Sequence, residues 1–147
     1  MEKDYKKLVS YLKAIGISMN PATFDGRVRI QKFAYMITKI MPGTLHYNFN
    51  FYLLGPYSTD LAKDYYHLKV ENGYNLNQNE LKNMDRIKEL KDESTLELEI
   101  IASLLSIRES KCSEEEAEYR LMKIKPYLKL PDIEKAAEKA KKLGLID

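Results

Sequence analysis

The segment from Leu98 to Ile107 constrains this protein more than any other. Leu98, Ile101, Leu104, Leu105 and Ile107 make it the most apolar stretch of the sequence. Ser94-Thr95-Leu96-Glu97 just ahead of it has the spacing of a capping box, in which Ser and Glu side chains reciprocally satisfy two free backbone N–H groups. A helix apolar over so much of its circumference has to be surrounded by other elements. The run is far shorter than the roughly 18 apolar residues that span a bilayer. Packing helices are therefore expected around it.

The rest of the sequence supplies them. Tyr5, Leu8, Val9, Leu12 and Ile15 recur at helical spacing and predict a helix over 4–15, with Gly16 as its left-handed C-cap. Asn20-Pro21 reads as a turn. A second helix is expected from Asp25-Gly26 to Met41, burying Ile30, Phe33, Ala34, Ile37 and Met41 and stopped by Pro42-Gly43. Tyr47, Phe49, Phe51 and Leu53 alternate with Asn48, Asn50 and Tyr52, which predicts a strand ended by Gly55-Pro56. Ser58 is a good N-cap for a third helix carrying Leu61, Ala62, Tyr65 and Leu68, closed by Gly73. Tyr74-Asn75-Leu76 suggests a second short strand, and 77–91 fits a helix somewhat better than a strand.

Toward the end, Ser113-Glu114-Glu115-Glu116 is another capping box, opening a helix with Ala117, Leu121, Met122 and Ile124 that Pro126 terminates. Pro131 suits the first position of a last helix with Ile133, Ala136, Ala137 and Ala140 inward and Gly144 as cap. The expected fold is mainly α with a small β element, in one domain over 1–147. Its front part, 1–76, has the helix–helix–strand–helix order of a modified winged helix. Its remainder, 77–147, is a helical bundle packed on that part.

Composition narrows the function. At 147 residues a single domain buries about 70% of its unfolded surface. With 44% hydrophobic and 31% charged residues the protein falls outside the disordered class. Met1 to Lys7 is charged with no apolar stretch after it, so no signal peptide is expected and the cytoplasm is the expected location. Cys112 has no second cysteine to pair with, and His46, His67 and Cys112 are too few for a Cys/His zinc site. There is no G-x-S-x-G, no P-loop and no dinucleotide glycine pattern. No catalysis, cofactor or metal is expected. The carboxylates Glu114, Glu115, Glu116 and Glu118 read as charge complementing a helix N-terminus.

Two features point to binding. Residues 1–75 hold 10 Lys/Arg against 6 Asp/Glu, and 76–147 hold 14 against 16. Within that basic front half Arg29, Lys32, Met36 and Lys39 fall on one helical row, preceded by Arg27. Such a row serves a phosphate backbone or an acidic partner, unless it is an ordinary solvated face. The second feature is a dense aromatic cluster over 47–74, in which Tyr52, Tyr57 and Tyr66 are out of phase with the inward set. Exposed tyrosines make rigid interface anchors. Tyr57-Ser58-Thr59 lies at a helix N-terminus able to receive an anionic group, but Asp60 and Asp64 on that helix favour a protein over DNA there.

The run Gly26-Arg27-Val28-Arg29-Ile30-Gln31-Lys32-Phe33-Ala34-Tyr35, followed by Tyr52-Leu53-Leu54-Gly55-Pro56-Tyr57-Ser58 and then Leu61-x-x-Asp64-x-x-x-Leu68, resembles the core of small prokaryotic proteins of the YwgA type. More distantly it is similar to the Panacea antitoxin domain found in the proteolytic adaptor antitoxin SocA. The likeness covers 1–76, and the Tyr-Ser after Gly-Pro departs from the Panacea pattern. It implies a mainly helical fold, no enzymatic activity and, from the Panacea side, neutralisation of a toxin by direct binding. It marks Arg29, Gln31, Lys32, Tyr35, Gly55, Pro56, Tyr57 and Ser58, with Gln31 and Lys32 expected to hydrogen-bond the Gly55-Pro56 turn. The expectation is a non-enzymatic, antitoxin-like or adaptor-like protein-binding module that contacts a protein partner, a toxin among the candidates, or a second copy of itself. The alternative is a DNA-binding regulator of winged-helix type.

Overall fold

The structure, a computed structural model, describes residues 2–71 and 73–146. At its centre is α5 (Thr95–Arg108). Ser94 Oγ accepts the Glu97 N–H at 3.1 Å and starts the helix. Every side chain from Glu97 to Leu105 is buried. Four elements account for that burial: α2 (Phe24–Ile40), α6 (Glu114–Ile124), α7 (Leu130–Lys142) and the strand β2 (Gly55–Tyr57). The capping serine at 113 starts α6, accepting the Glu116 N–H at 3.2 Å. Ile133, Ala136, Ala137 and Ala140 bring α7 onto α5, where small residues let the helices approach closely.

A second layer forms around α1 (Glu2–Ile15), which packs against α3 (Thr59–His67) and α4 (Gln78–Ile87). A 3-10 turn over Lys88–Asp92 leads from α4 into α5. One connected apolar cluster runs from Tyr5 to Ala140 and joins both layers. The molecule is mainly helical with a small sheet of two antiparallel strands. Among the described residues no helix is long and apolar enough to cross a membrane.

The β element differs from the sequence expectation. The strand expected over 47–53 is only β1 (Asn50–Tyr52), and Gly55-Pro56 does not end it. Gly55 adopts a positive φ of 93°, the backbone reverses, and Gly55–Tyr57 pairs back with Tyr52↔Gly55 and Asn50↔Tyr57 opposite one another. The inward alternation fades along the segment. Tyr47 is buried and Phe49 half-buried, but Phe51 is exposed and Leu53 is 80% exposed. The hairpin lies between α2 and α3, where a helix-turn-helix would place its turn.

Two further expectations are corrected, and the helical reading of 77–91 holds. Tyr74–Leu76 is not a strand; Tyr74 instead donates its hydroxyl to Glu80 at 2.7 Å. The segment 77–91 is helical because Asn77 and Glu80 form a reciprocal box: Asn77 Oδ1 accepts the Glu80 N–H at 2.8 Å and Glu80 Oε1 accepts the Asn77 N–H at 2.9 Å. Ile124, one of the apolar residues the sequence groups on this helix, is exposed in the last turn of α6, whereas Ala117 and Leu121 are buried.

Candidate protein-binding surface

The basic row of α2 does not exist as a surface. Lys32 is 1% exposed and Met36 is fully buried. Helix α2 packs on α5 and on β2, so the run from Ile30 to Ile37 is buried all round. Arg29 is spent on structure: its Nε donates to Asp25 at 2.8 Å, its Nη1 to the Lys91 carbonyl at 3.1 Å and its Nη2 to the Glu93 carbonyl at 2.7 Å. Lys39 pairs with Glu109, which also accepts the Tyr35 hydroxyl at 2.8 Å. Arg27 alone of the row is partly exposed with no carboxylate partner among the described residues, and its Nη1 donates to the Pro21 carbonyl at 3.0 Å.

Lys32 and its neighbour Gln31 instead seat the hairpin. Lys32 Nζ donates to the Pro56 carbonyl at 2.7 Å. Gln31 grips Ser58 from both sides: its Nε2 donates to the Ser58 carbonyl at 2.9 Å, and its Oε1 accepts the Ser58 N–H at 2.8 Å. Ser58 is thus unavailable to a partner; it is fully buried, and its Oγ caps α3 by accepting the Leu61 N–H at 3.2 Å. Gly55 lies so close to α5 that a Cβ there would meet Ser103 Oγ at 2.5 Å. A second buried ammonium holds the other side of the hairpin. Lys125 donates to the Leu53 carbonyl and pairs with Glu99 at 3.2 Å, while Tyr127 donates its hydroxyl to Glu99 at 2.7 Å. Burial pushes Lys32 down to about 8, with the nearby Glu99 charge opposing that shift and Lys125 adding to it.

The seat holds an apolar tip in solvent. Phe51 lies over the Lys125 ammonium at 5.7 Å, and Tyr52, at 49% exposure, packs edge-on against Tyr57 at 5.7 Å between ring centres. On α3, Tyr66 is 60% exposed and stacks edge-on with the buried Tyr65 at 4.9 Å. Between the start of α2, the hairpin and α3 lies a cleft of about 120 Å³ whose walls include Phe24, Val28, Leu54, Tyr57 and Tyr66, with Arg27 among them. The structure therefore gathers Arg27, Tyr52, Tyr57 and Tyr66 around one surface. It assigns Gln31, Lys32, Gly55, Pro56 and Ser58 to the support beneath, and leaves Arg29, Tyr35 and Lys39 in pairings elsewhere on α2.

Sequence reasoning missed Lys125, Glu99, Tyr127 and Ser103 in the seat, and Phe24 and Leu54 in the cleft. Lys125 comes from 72 positions away in the sequence, and nothing in its local sequence separates it from a solvated lysine. The remaining candidates stand apart. His46 Nδ1 lies 3.2 Å from Asp4, His67 Nδ1 donates to the Lys63 carbonyl at 2.8 Å, and both rings are exposed. Cys112 is half-buried with Sγ 3.8 Å from the Ile107 carbonyl. Among the described residues no group of three or more His, Cys, Asp or Glu side chains converges as a metal site would require. Compared with family models, curated proteins and solved structures, the protein has no significant match.

Proposed function

We propose that this protein is a non-enzymatic protein-binding module, adaptor-like or antitoxin-like, that docks its partner on the hairpin tip and the adjoining face of α3. The observation that carries this reading is the contrast between the tip and its seat. Phe51, Tyr52 and Leu53 are held in water by a backbone whose carbonyls at 53 and 56 are fixed by two buried lysines. Apolar side chains exposed on a rigid support bind with little loss of conformational entropy. Large aromatic groups are also the usual energetic centres of protein interfaces. The resemblance of 1–76 to the Panacea domain, which implies direct binding of a toxin, motivates the same reading. The DNA-binding alternative loses its phosphate row, because Lys32 is buried and Arg29 and Lys39 are paired.

The test is site-specific photo-crosslinking in the native host. A benzophenone amino acid is placed at Tyr52, Leu53 or Tyr66, and at Lys82 on the far layer as a control. The expected result is one discrete crosslinked species from the first three positions and none from Lys82. A second copy of the protein in that species identifies a homodimer. Uniform or absent crosslinking sinks the reading. A labelled random duplex in anisotropy at about 50 and about 200 mM salt covers the alternative, since phosphate-dominated binding falls steeply over that range.

A further inference from the structure

The cleft beside the hairpin specifies what its occupant looks like. Its volume of about 120 Å³ is well below the roughly 300–1,000 Å³ of cofactor and small-molecule sites. It is close to the roughly 150 Å³ apolar cavity that accepts a benzene ring. One aromatic or branched aliphatic side chain fits it; a nucleotide or an extended cofactor does not. Its walls are mostly apolar, Phe24, Val28, Leu54 and the rings of Tyr57 and Tyr66. Its rigidity comes from Gln31 and Lys32, which fix the hairpin wall to α2.

The charge around the cleft has one sign. Among the described residues the charged groups lining it are Arg27 and Lys32, with no carboxylate. Lys32 Nζ is already turned to the Pro56 carbonyl. Among the described residues the Arg27 guanidinium makes a single hydrogen bond, from Nη1 to the Pro21 carbonyl. Its planar fork of donors matches a carboxylate.

Resting on the protein-binding reading above, we infer that the partner inserts one aromatic or branched aliphatic side chain into this cleft, with a carboxylate beside it for Arg27. A polypeptide whose last residue is of that kind, with its free terminal carboxylate, presents that chemistry. Tyr57 and Tyr66 flank the inserted group, so the cleft is the anchor point and the Phe51-Tyr52-Leu53 tip widens the contact.

The probe is 3-phenylpropionate, which carries both parts, titrated into the full-length protein and followed by amide and side-chain NMR shifts. The neutral 3-phenylpropan-1-ol and propionate serve as half-probes. The acid is expected to shift Val28, Leu54, Tyr57 and Tyr66, the alcohol to do so about threefold more weakly, as for a half-exposed ion pair, and propionate not at all. Arg27→Ala should erase the acid's advantage over the alcohol, with Arg27→Lys keeping part of it. Tyr66→Ala, at an exposed side chain, should weaken acid and alcohol alike. No saturable shift at these residues, or no preference for the acid, overturns the inference. The acid should also suppress the crosslink formed from Tyr66. Fragment binding without that suppression overturns the identity of the partner segment but leaves the docking surface standing. Fragment binding with no crosslink at any position overturns the polypeptide occupant and leaves a site for a free aromatic acid.

Discussion

The helical half of the molecule and the seat of the hairpin are built by opposite means. Around α5, α6 and α7 the contacts are aliphatic: Leu98, Ile101 and Leu104 from α5, Ala117 and Leu121 from α6, and Ile133, Ala136, Ala137 and Ala140 from α7. Polar groups there are mostly confined to helix ends, where Ser94 and Ser113 act as caps. In the first turn of α5, Glu97 has an Oε1 without a partner among the described residues and a carboxyl that burial pushes above its ordinary range, and mid-helix Ser103 is the departure, with a buried Oγ equally without one. The hairpin is held instead by Gln31, Lys32, Glu99 and Lys125, all buried and all aimed at backbone or at one another. Buried ions stabilise less than apolar side chains of the same volume, because both charges lose their water. What they impose is geometry, since a carbonyl bonded to a buried ammonium has one place to be. The difference teaches that the helical half supplies stability and the seat supplies a fixed shape for an exposed apolar tip.

The largest expected effect separates these roles. Lys125→Ala leaves Glu99 without its ammonium and the Leu53 carbonyl without its donor. Breaking a buried pair from one side costs about 3–5 kcal/mol, which urea unfolding measures. Ile133→Ala in α7 should cost a similar amount, about 2–5 kcal/mol, by opening a cavity. Hydrogen exchange then divides them. In Lys125→Ala the amides of 50–57 should lose more protection than the global loss explains, whereas in Ile133→Ala they should follow the global value. Equal hairpin protection in the two variants would break the comparison.

A smaller effect tests how the hairpin meets α5. Gly55 has φ of 93° and a Cβ at that position would stand 2.5 Å from Ser103 Oγ. Gly55→Ala is expected to cost about 1–3 kcal/mol from the backbone alone, with the contact added. Ser103→Ala removes the atom that is struck, and since Ser103 Oγ is buried without a partner among the described residues its loss alone should be nearly neutral. The double variant should therefore recover part of the Gly55→Ala loss. No recovery would mean that left-handed strain is the whole effect and the close approach to α5 is not limiting.

Period and punctuation made the helices legible. The stripe Tyr5-Leu8-Leu12-Ile15, the Pro42-Gly43 stop and the serine caps at 58, 94 and 113 are local signals, and a helix is decided locally. The hairpin was not legible. Gly55-Pro56 is a stop signal when the backbone goes on and a reversal when a partner strand is ready, and the packing of β2 on α2 and α5 is not written in the local sequence. The same limit governed Lys32. A helical wheel shows that it lies away from Ile30, Phe33 and Ile37, but not that a second layer covers that side. Charged residues so placed are ordinarily solvated. The pairing of Gln31-Lys32 with Gly55-Pro56 in the family resemblance was the one sequence signal that linked the two segments, and Lys125 had no such signal.

Lys32 also gives the subtlest test of the comparison, because its burial should be visible as a pH dependence. It titrates at about 8 in the folded protein against an ordinary 10.5. Between those values the unfolded state holds more protons than the folded one, so stability rises with pH across that window. The cost of burying the charge is fully present below about 8 and is relieved as the amine loses its proton. From about pH 7 to about pH 9.5 the gain from this group is on the order of 2 kcal/mol. The window must close there, since near pH 10 tyrosines ionise in the unfolded state while Tyr11, Tyr35 and Tyr47, raised by burial and by hydrogen bonds to carboxylates, do not, and that effect has the opposite sign. Lys32→Met keeps the stem, removes the charge and leaves the Pro56 carbonyl without its donor. It should therefore unfold at nearly the wild-type urea concentration at pH 7, where relief of the buried charge offsets the lost hydrogen bond. At pH 9.5 it should be the weaker of the two by about 2 kcal/mol, because the wild type has gained and the variant has not. Parallel pH profiles would mean that Lys32 reaches water, and the hairpin seat would then be a solvated contact no different in kind from the ion pairs on the surface.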